Sequence, residues 1–139
     1  MEFVMNPELE TIDWNTISKL FQLVNWGIRN PKEIENSFKK SSITCFVKNE
    51  NEIIGFGRTV DDGKYYALLV DLVIHPNHQQ KGIGRTIVNK LTAQLKDYNF
   101  VTLTAAPNKE DFYKKIGWLK QKSAFILPKD QKQQDEHCE

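Results

Sequence analysis

One stretch of the chain, residues 66–74, is apolar at almost every position and reads YALLVDLVI. Odd and even positions are both apolar, so an extended segment here would have two apolar faces. Such a pattern is typical of a strand in the middle of a sheet that is covered on both sides. The sequence therefore predicts a central strand that carries a single ionisable residue, Asp71.

A proline-containing turn and a glycine-rich loop, HPNHQQKGIG, follow this strand and lead into an amphipathic helix. The apolar positions of the helix recur every three or four residues, at Ile83, Ile87, Val88, Leu91 and Leu95. Gly82 and Gly84 remove side chains where the first helical amides face a ligand. Lys81 and Arg85 add positive charge, so the loop is predicted to hold phosphate. It matches neither the P-loop nor the three-glycine dinucleotide pattern, and a plain strand-to-helix turn is the alternative.

The N-terminal half is predicted to contain two helices and an antiparallel pair of strands. The first helix begins near Trp14 and ends near Gly27. The second begins at Pro31 behind an Asn30 cap. Strands are predicted at residues 43–48 and 52–60, and the segments NENE and DDG that follow them read as hairpin turns.

The C-terminal part is predicted to contain a strand, a helix and one or two further strands. The strand at residues 100–104 should run parallel to the central strand, because a helix connects the two. The helix would be capped by Asn108 and ended by Gly117, with the closing strands within residues 118–127. Residues 129–139 are polar and are predicted to be a disordered tail.

Length and composition favour one compact domain over residues 1–128, because 139 residues with 40% hydrophobic content can build one core. A formal net charge of +1 with dispersed lysines and arginines argues against a nucleic-acid partner. No apolar run reaches membrane-spanning length and the N-terminus lacks a signal-peptide pattern, so we expect a cytoplasmic protein without a membrane partner. Cys45 and Cys138 are expected to be free thiols, with neither a disulfide nor a metal site.

Two motifs resemble those of the GCN5-related N-acetyltransferases, the GNAT family. Gln79, Gly82 and Gly84 fit the Q/R-x-x-G-x-G/A signature of that family's coenzyme A loop, and they follow LVDLVIHP. The segment AAPNKEDFYKKIGW is similar to the family's later helix with its FY pair. The resemblance covers roughly residues 43–127. It implies a mixed α/β fold with a central, mostly antiparallel sheet of six to seven strands, about four flanking helices, and two parallel central strands that splay apart.

The resemblance implies acetyl-coenzyme A as the cofactor, with its pantetheine arm in the cleft between the splayed strands. Backbone groups of Leu72 and Ile74 would bind the pantetheine, and the amide near Val73 would polarise the thioester carbonyl. Leu72 and Ile74 are core residues at the same time. The residues that the resemblance assigns to the cofactor are Leu72, Val73, Ile74, Gln79, Gln80, Lys81, Gly82, Ile83, Gly84, Arg85, Asn108, Lys109 and Tyr113.

The implied activity is that of an N-acetyltransferase, in which a primary amine attacks the acetyl thioester directly through a tetrahedral intermediate. Tyr113 of the FY pair would donate a proton or a hydrogen bond to the departing thiolate, and a half-buried packing role is its alternative. The amine must first lose a proton, which for an alkyl ammonium at pH 7 costs on the order of 4 kcal/mol. Asp71 could accept it, or could instead pair with Arg58 or cap a bulge. His75 and His78 are better placed for contacts to the loop.

The family builds its acceptor pocket from the link between the first two helices and from the turns near the early strands. In this chain those positions are Trp26, Gly27, Ile28, Arg29, Arg58, Tyr65 and Tyr66. Aromatic rings suit aryl or cationic groups, whereas arginines favour a carboxylate or phosphate. We expect a small-molecule amine acceptor, because nothing indicates a peptide groove. A protein lysine or N-terminal acetyltransferase, and a non-catalytic protein of the same fold that binds acyl-coenzyme A or a partner, are the alternatives; a homodimer is common among similar proteins.

Overall fold

The computed structural model describes residues 1–139, which divide into two compact units, Met1–Leu103 and Thr104–Glu139. The first unit contains β1 (Glu2–Met5), α1 (Trp14–Leu23), α2 (Pro31–Lys39), β2 (Thr44–Asn49), β3 (Glu52–Asp61), β4 (Tyr66–Ile74), α3 (Ile83–Ala93) and β5 (Phe100–Leu103). The second contains α4 (Glu110–Lys115) and α5 (Gln131–His137). Short 3-10 turns occur at Leu9–Thr11 and Pro76–His78. A single domain over residues 1–128 stays a prediction.

The strands form one sheet in the order β1-β2-β3-β4-β5. The first four strands are antiparallel to their neighbours, and β5 runs parallel to β4. The parallel pair is connected through α3, as a parallel connection requires. The predicted mixed α/β fold with a mostly antiparallel sheet is therefore confirmed.

The sheet has five strands, not the predicted six to seven. Residues 118–127 form no strand, and their side chains Leu119, Phe125 and Leu127 are 92%, 97% and 94% exposed. Apolar content suggested strands there, but a strand persists only where a neighbour pairs with its main chain. At β1 the structure has a strand that the sequence did not predict. Its four residues are too few to show a pattern, and the strand forms by pairing with β2.

Side-chain caps fix the start of the first two helices, as the sequence predicts for α2. Asp13 accepts a hydrogen bond from the amide of Asn15 at the start of α1. Asn30 accepts from the amides of Lys32 and Glu33 at the start of α2, which has a proline at its first position. Each cap satisfies amides that have no partner within the helix.

The tail that was predicted to be disordered contains α5, so the helices number five and not about four. Asp130 caps α5 by accepting from the amide of Gln133, and the helix buries no residue. Gln131 also donates to Asp135 one turn further on. Local hydrogen bonds of this kind support a short helix without a buried face.

The core of the first unit lies on both faces of the sheet. Phe21, Phe38, Phe46 and Phe56 are fully buried and pack α1 and α2 against one face. Gly57 points to the opposite face, where a Cβ would lie 2.9 Å from Ile87 and 3.1 Å from Leu91 of α3. This close approach is possible because the residue has no side chain.

Candidate functional site

A β-bulge interrupts β4 at the ionisable residue that the sequence singles out. Asp71 and Leu72 both lie opposite a single residue of β3, Gly57. Asp71 has a φ of +54°, a left-handed conformation in which aspartate is more common than most residues. Bulges of this kind re-aim side chains and are frequent next to active sites.

Beyond the bulge, β4 has an open edge. β5 pairs with β4 only at residues 66–69, so residues 70–74 have no strand partner on that side. The family resemblance implies two central parallel strands that splay apart; in this sheet β5 is an edge strand, and its pairing with β4 ends at Leu69 and Leu103. Leu72 and Ile74 are half-buried and Val73 is buried, so all three also serve the core. The main chain of the open edge has unpaired groups that an extended ligand could use.

The glycine-rich loop presents a row of main-chain amides to the surroundings. None of the amides of residues 80–85 donates to a protein acceptor. Gln80 and Gly82 have φ values of +63° and +81°, and a Cβ on Gly82 would meet open space. Lys81 and Arg85 are exposed beside these amides. Consecutive free amides at the start of an 11-residue helix, α3, are an arrangement that suits an anion.

One hydrogen bond joins the residue before this loop to the end of β4, and a second lies within the turn between them. The side-chain amide of Gln79 donates to the carbonyl of Ile74 at 3.0 Å, and Nδ1 of His75 accepts from the amide of Asn77 at 3.0 Å. His78 stacks edge-on against His75 with ring centroids 5.7 Å apart. Both histidines therefore make their contacts within the turn before the loop, and contacts from them to the loop stay a prediction. Gln79, which directly precedes the loop of free amides, is thus bonded to the end of β4.

Asp71 contacts two guanidinium groups. Its Oδ2 lies 2.8 Å from Nε of Arg58, and its Oδ1 lies 3.5 Å from Nη1 of Arg29. The side chains of Asp71 and Arg58 are 11% and 13% exposed, and that of Arg29 is 42% exposed. To accept a proton, Asp71 would have to give up charge-assisted contacts on both oxygens. The geometry thus matches the pairing and bulge alternative for Asp71, and its role as a base stays a prediction.

The candidate acceptor residues do not all lie together. Arg29 and Arg58 meet at Asp71, and the ring of Trp26 lies 5.7 Å from the guanidinium carbon of Arg29. Ile28, in the same link, is 85% exposed. Tyr66 lies at the opposite end of β4, about 17 Å along the strand from Asp71, and its ring packs against Phe100. Tyr66 is therefore separated from the arginine cluster.

In the second unit, the prediction that Asn108 caps α4 is wrong. The residue at the cap position is Lys109, which makes no side-chain cap hydrogen bond. Asn108 has a φ of +67°, so it takes a left-handed turn conformation one residue earlier. The helix ends before Gly117, whose φ is +101°, as the sequence predicts.

Tyr113 lies on α4 between two aromatic rings. Its ring centroid is 5.0 Å from that of Phe112 and 6.1 Å from that of Trp118. Burial raises the pKa of Tyr113 to about 12. The phenol therefore keeps its proton throughout the neutral range and can act as a hydrogen-bond donor.

Two residues that support the arginine cluster were not predicted. Ser41 Oγ and the carbonyl of Ser37 accept from Nη1 of Arg58 at 3.1 and 3.4 Å. Ser41 precedes β2 and Ser37 lies in the last turn of α2, and serine is common at both kinds of position for local reasons. Their contact with Arg58 spans 17 and 21 residues, so no local pattern could reveal it.

The fold and site together define an α/β protein in which a loop of free main-chain amides follows an open strand edge. A family model described as an acetyltransferase (GNAT) domain matches residues 23–126. The chain is 32% identical over 117 residues to the uncharacterized N-acetyltransferase ycf52 of Pyropia yezoensis, an alignment that covers 80% of this chain and 67% of that protein. The chain therefore belongs to the GNAT acetyltransferase family.

Solved structures show the same fold. A Staphylococcus aureus protein of unknown function, described as a probable acetyltransferase, superimposes with a TM-score of 0.78 at 18% identity and covers 93% of this chain and 100% of its own. A predicted acetyltransferase from Clostridium acetobutylicum, whose structure was determined with acetyl-CoA, has a TM-score of 0.70 at 16% identity over 91% of this chain and 95% of its own. None of the helices in this chain combines the length and apolar character needed to span a membrane.

Proposed function

We propose that the protein is an acetyl-coenzyme A dependent N-acetyltransferase that acetylates the primary amine of a small molecule. The observation that carries the proposal is the row of amides at residues 80–85, which have no protein acceptor and lie directly after the open edge of β4. Family membership supports the same reading. Acetyl-coenzyme A would supply an activated acetyl thioester.

The residues of the first unit fit this coenzyme. Free amides at a helix start, with Lys81 and Arg85 beside them, suit a diphosphate. The open edge at residues 70–74 suits the amide groups of a pantetheine, which can pair with a strand as an added chain would. A main-chain amide near Val73 would be a preorganised donor for the acyl oxygen. Asn108 and Lys109 stay candidates for further coenzyme contacts by the family resemblance.

For Tyr113, the proposed role is a hydrogen bond from Oη to the departing sulfur. A phenol with a pKa of about 12 holds its proton more firmly than an ordinary tyrosine. A thiol has a pKa of about 8.5, so complete proton transfer from this phenol to a thiolate is unfavourable. A donated hydrogen bond stabilises the thiolate without that transfer.

Calorimetric titration with acetyl-coenzyme A, coenzyme A and ATP tests coenzyme binding, and thiol release across a panel of amines tests turnover. We expect binding of both coenzyme forms, no comparable binding of ATP, and thiol release with small amines. Coenzyme binding without turnover would favour the non-catalytic alternative. Turnover with lysine peptides or protein N-termini, but not with small amines, would favour a protein acetyltransferase. Failure to bind either coenzyme form would overturn the proposal.

Cytoplasmic location, a homodimer, and the absence of nucleic-acid or membrane partners stay predictions from the sequence. Size-exclusion chromatography with light scattering would test the homodimer directly.

A further inference from the structure

We propose that Arg29 binds an anionic group on the acceptor, so that the preferred substrates carry a primary amine and a carboxylate or phosphate on one small molecule. This inference rests on the proposed N-acetyltransferase function and adds the substrate class to it. It is carried by the difference between the two guanidinium groups that meet at Asp71.

Arg58 uses Nε and Nη1 as hydrogen-bond donors within the protein, and its side chain is only 13% exposed. Nε donates to Asp71 at 2.8 Å, and Nη1 contacts Ser41 and the carbonyl of Ser37. Its guanidinium carbon also lies 5.3 Å from the ring of Phe38. Arg58 is therefore held on several sides and serves to orient Asp71, not to bind a ligand.

Arg29 is placed differently. Its one protein acceptor is Asp71, at 3.5 Å, so Nε, Nη2 and the second hydrogen of Nη1 have no protein partner. The guanidinium carbon lies 4.1 Å from the ring centroid of Phe21, and the main-chain carbonyl of Arg29 accepts from Ser18 Oγ at 2.6 Å. Stacking and the backbone hydrogen bond hold the group in place while its side chain stays 42% exposed. A planar, preoriented and accessible guanidinium matches the two oxygens of a carboxylate or phosphate.

The position of Arg29 also argues against the alternative acceptor, one with an aryl or cationic group. The ring of Trp26 could attract an aryl or cationic group, but the guanidinium carbon of Arg29 lies 5.7 Å from that ring. A second cation at the ring of Trp26 would be repelled by Arg29. The cluster of Arg29, Arg58 and Asp71 has two positive charges and one negative charge, so an anion balances it.

Matched pairs of acceptors test the proposal through initial rates of thiol release. Glycine against methylamine and phenylalanine against phenethylamine test a carboxylate, and phosphoethanolamine against ethanolamine tests a phosphate. We expect kcat/KM to be at least about tenfold higher for the anionic member of one or more pairs. Higher ratios in the first two pairs would identify the anion as a carboxylate, and a higher ratio in the third pair would identify it as a phosphate.

Variants then assign the preference to Arg29. Arg29→Gln should raise KM for the anionic acceptor by about 10- to 100-fold and change KM for its neutral partner by less than about twofold. Arg29→Lys, which keeps the charge but loses the planar fork, should recover part of the loss. Lys19→Gln removes an exposed charge from α1 and is the matched control, with no expected change.

Two results would overturn the inference while leaving the proposed function intact: equal kcat/KM within every pair, or an equal effect of Arg29→Gln on anionic and neutral acceptors. Calorimetry separates this from failure of the proposed function. Normal coenzyme binding together with anion-independent turnover contradicts only the role of Arg29. Absence of both coenzyme binding and turnover contradicts the proposed function and, with it, this inference.

Discussion

The turns at the two ends of β4 use their main-chain amides in opposite ways. In the turn before β4, Oδ1 of Asp62 accepts from the amides of Lys64, Tyr65 and Tyr66 at 2.8, 2.7 and 3.1 Å. In the loop after β4, the amides of residues 80–85 have no protein acceptor. One turn contains its own anion, and the other lacks one.

The neighbouring carboxylate strengthens the closed turn. Burial alone would raise the pKa of Asp61, but hydrogen bonds from Tyr98, Ser42 and the amide of Gly63 outweigh it and lower the pKa. Amide hydrogen bonds from Lys64 and Tyr65 likewise lower the pKa of Asp62. The closed end thus stabilises two carboxylates that belong to the chain. By the same chemistry, the open end is suited to anions that the chain does not supply.

The largest expected effect lies at the open end, in Gly84→Val. A branched side chain among the amides of residues 80–85 should weaken coenzyme A binding by on the order of 100-fold, since two lost charge-assisted hydrogen bonds cost about 3 kcal/mol. Ala93→Val places the same residue at the far end of α3 and should leave binding unchanged. Calorimetry measures both variants, and tight binding by Gly84→Val would show that the loop is not the diphosphate site.

A smaller effect is expected from removing one hydroxyl. Tyr113→Phe should lower kcat by about 10- to 100-fold, because a hydrogen bond to a charged sulfur would be lost, and should leave the Kd for coenzyme A unchanged. Tyr98→Phe is the matched control, because Tyr98 donates to Asp61 at the closed end. It should lower the free energy of unfolding without changing kcat. An unaltered kcat in Tyr113→Phe would leave that tyrosine a packing residue.

Two glycines allow a direct comparison of the ends. Gly82 and Gly63 have φ values of +81° and +79°, and a Cβ at either would meet open space. Substitution by alanine should therefore cost each variant a similar 1–2 kcal/mol of stability, roughly the penalty for a left-handed side-chain-bearing residue. Only Gly82→Ala should also weaken coenzyme binding, by about tenfold. Equal coenzyme affinity in the two variants would remove the functional distinction between the ends.

The last comparison concerns the sheet beneath the bulge and bears on stability alone. Cys45 pairs with Gly57, which faces the bulge, and burial raises the pKa of Cys45 from 9.0 to about 11. A raised thiol pKa means that its contribution to stability is complete below pH 9.0 and is lost as the pH rises towards about 11. Urea unfolding should show that the free energy of unfolding falls by on the order of 2 kcal/mol over that pH range.

Cys45→Ala is the comparison for this pH dependence. The variant should be less stable at neutral pH, because it leaves a small cavity, but its stability should fall less steeply between pH 9.0 and about 11. Parallel pH profiles for the two proteins would mean that the thiol does not titrate with the folded sheet.

Much of the fold could be predicted because its signals are local. The run of apolar residues fixes β4, the Asn30 and Pro31 pair fixes the start of α2, and the apolar period fixes α3. The errors about strands occur where pairing with another strand decides. Residues 118–127 have strand-like composition without a partner strand, whereas β1 has a weak pattern and a partner.

The candidate site divides in the same way. The glycine-rich loop and the FY pair could be found from the sequence, because short motifs keep their residues together along the chain. The arginine cluster could not, because Arg29 and Asp71 are 42 residues apart and Arg58 and Asp71 are 13 residues apart. Both arginines were candidates for the acceptor, but the sequence did not indicate that Arg58 is bound by the protein while Arg29 remains accessible.

The amino-acid order alone specified most of the turns, the helices α1 to α4 but not α5, and the loop in which two glycines leave the main chain uncovered, since these depend on φ preferences and periodicity within a few residues. It did not specify that the pairing of β4 with β5 ends at Leu69 of β4. It also did not specify that the guanidinium of Arg58 is enclosed while that of Arg29 is accessible. Those properties depend on which distant groups compete for each donor. That competition arises when α1, α2 and the sheet are brought together by burial of their apolar faces.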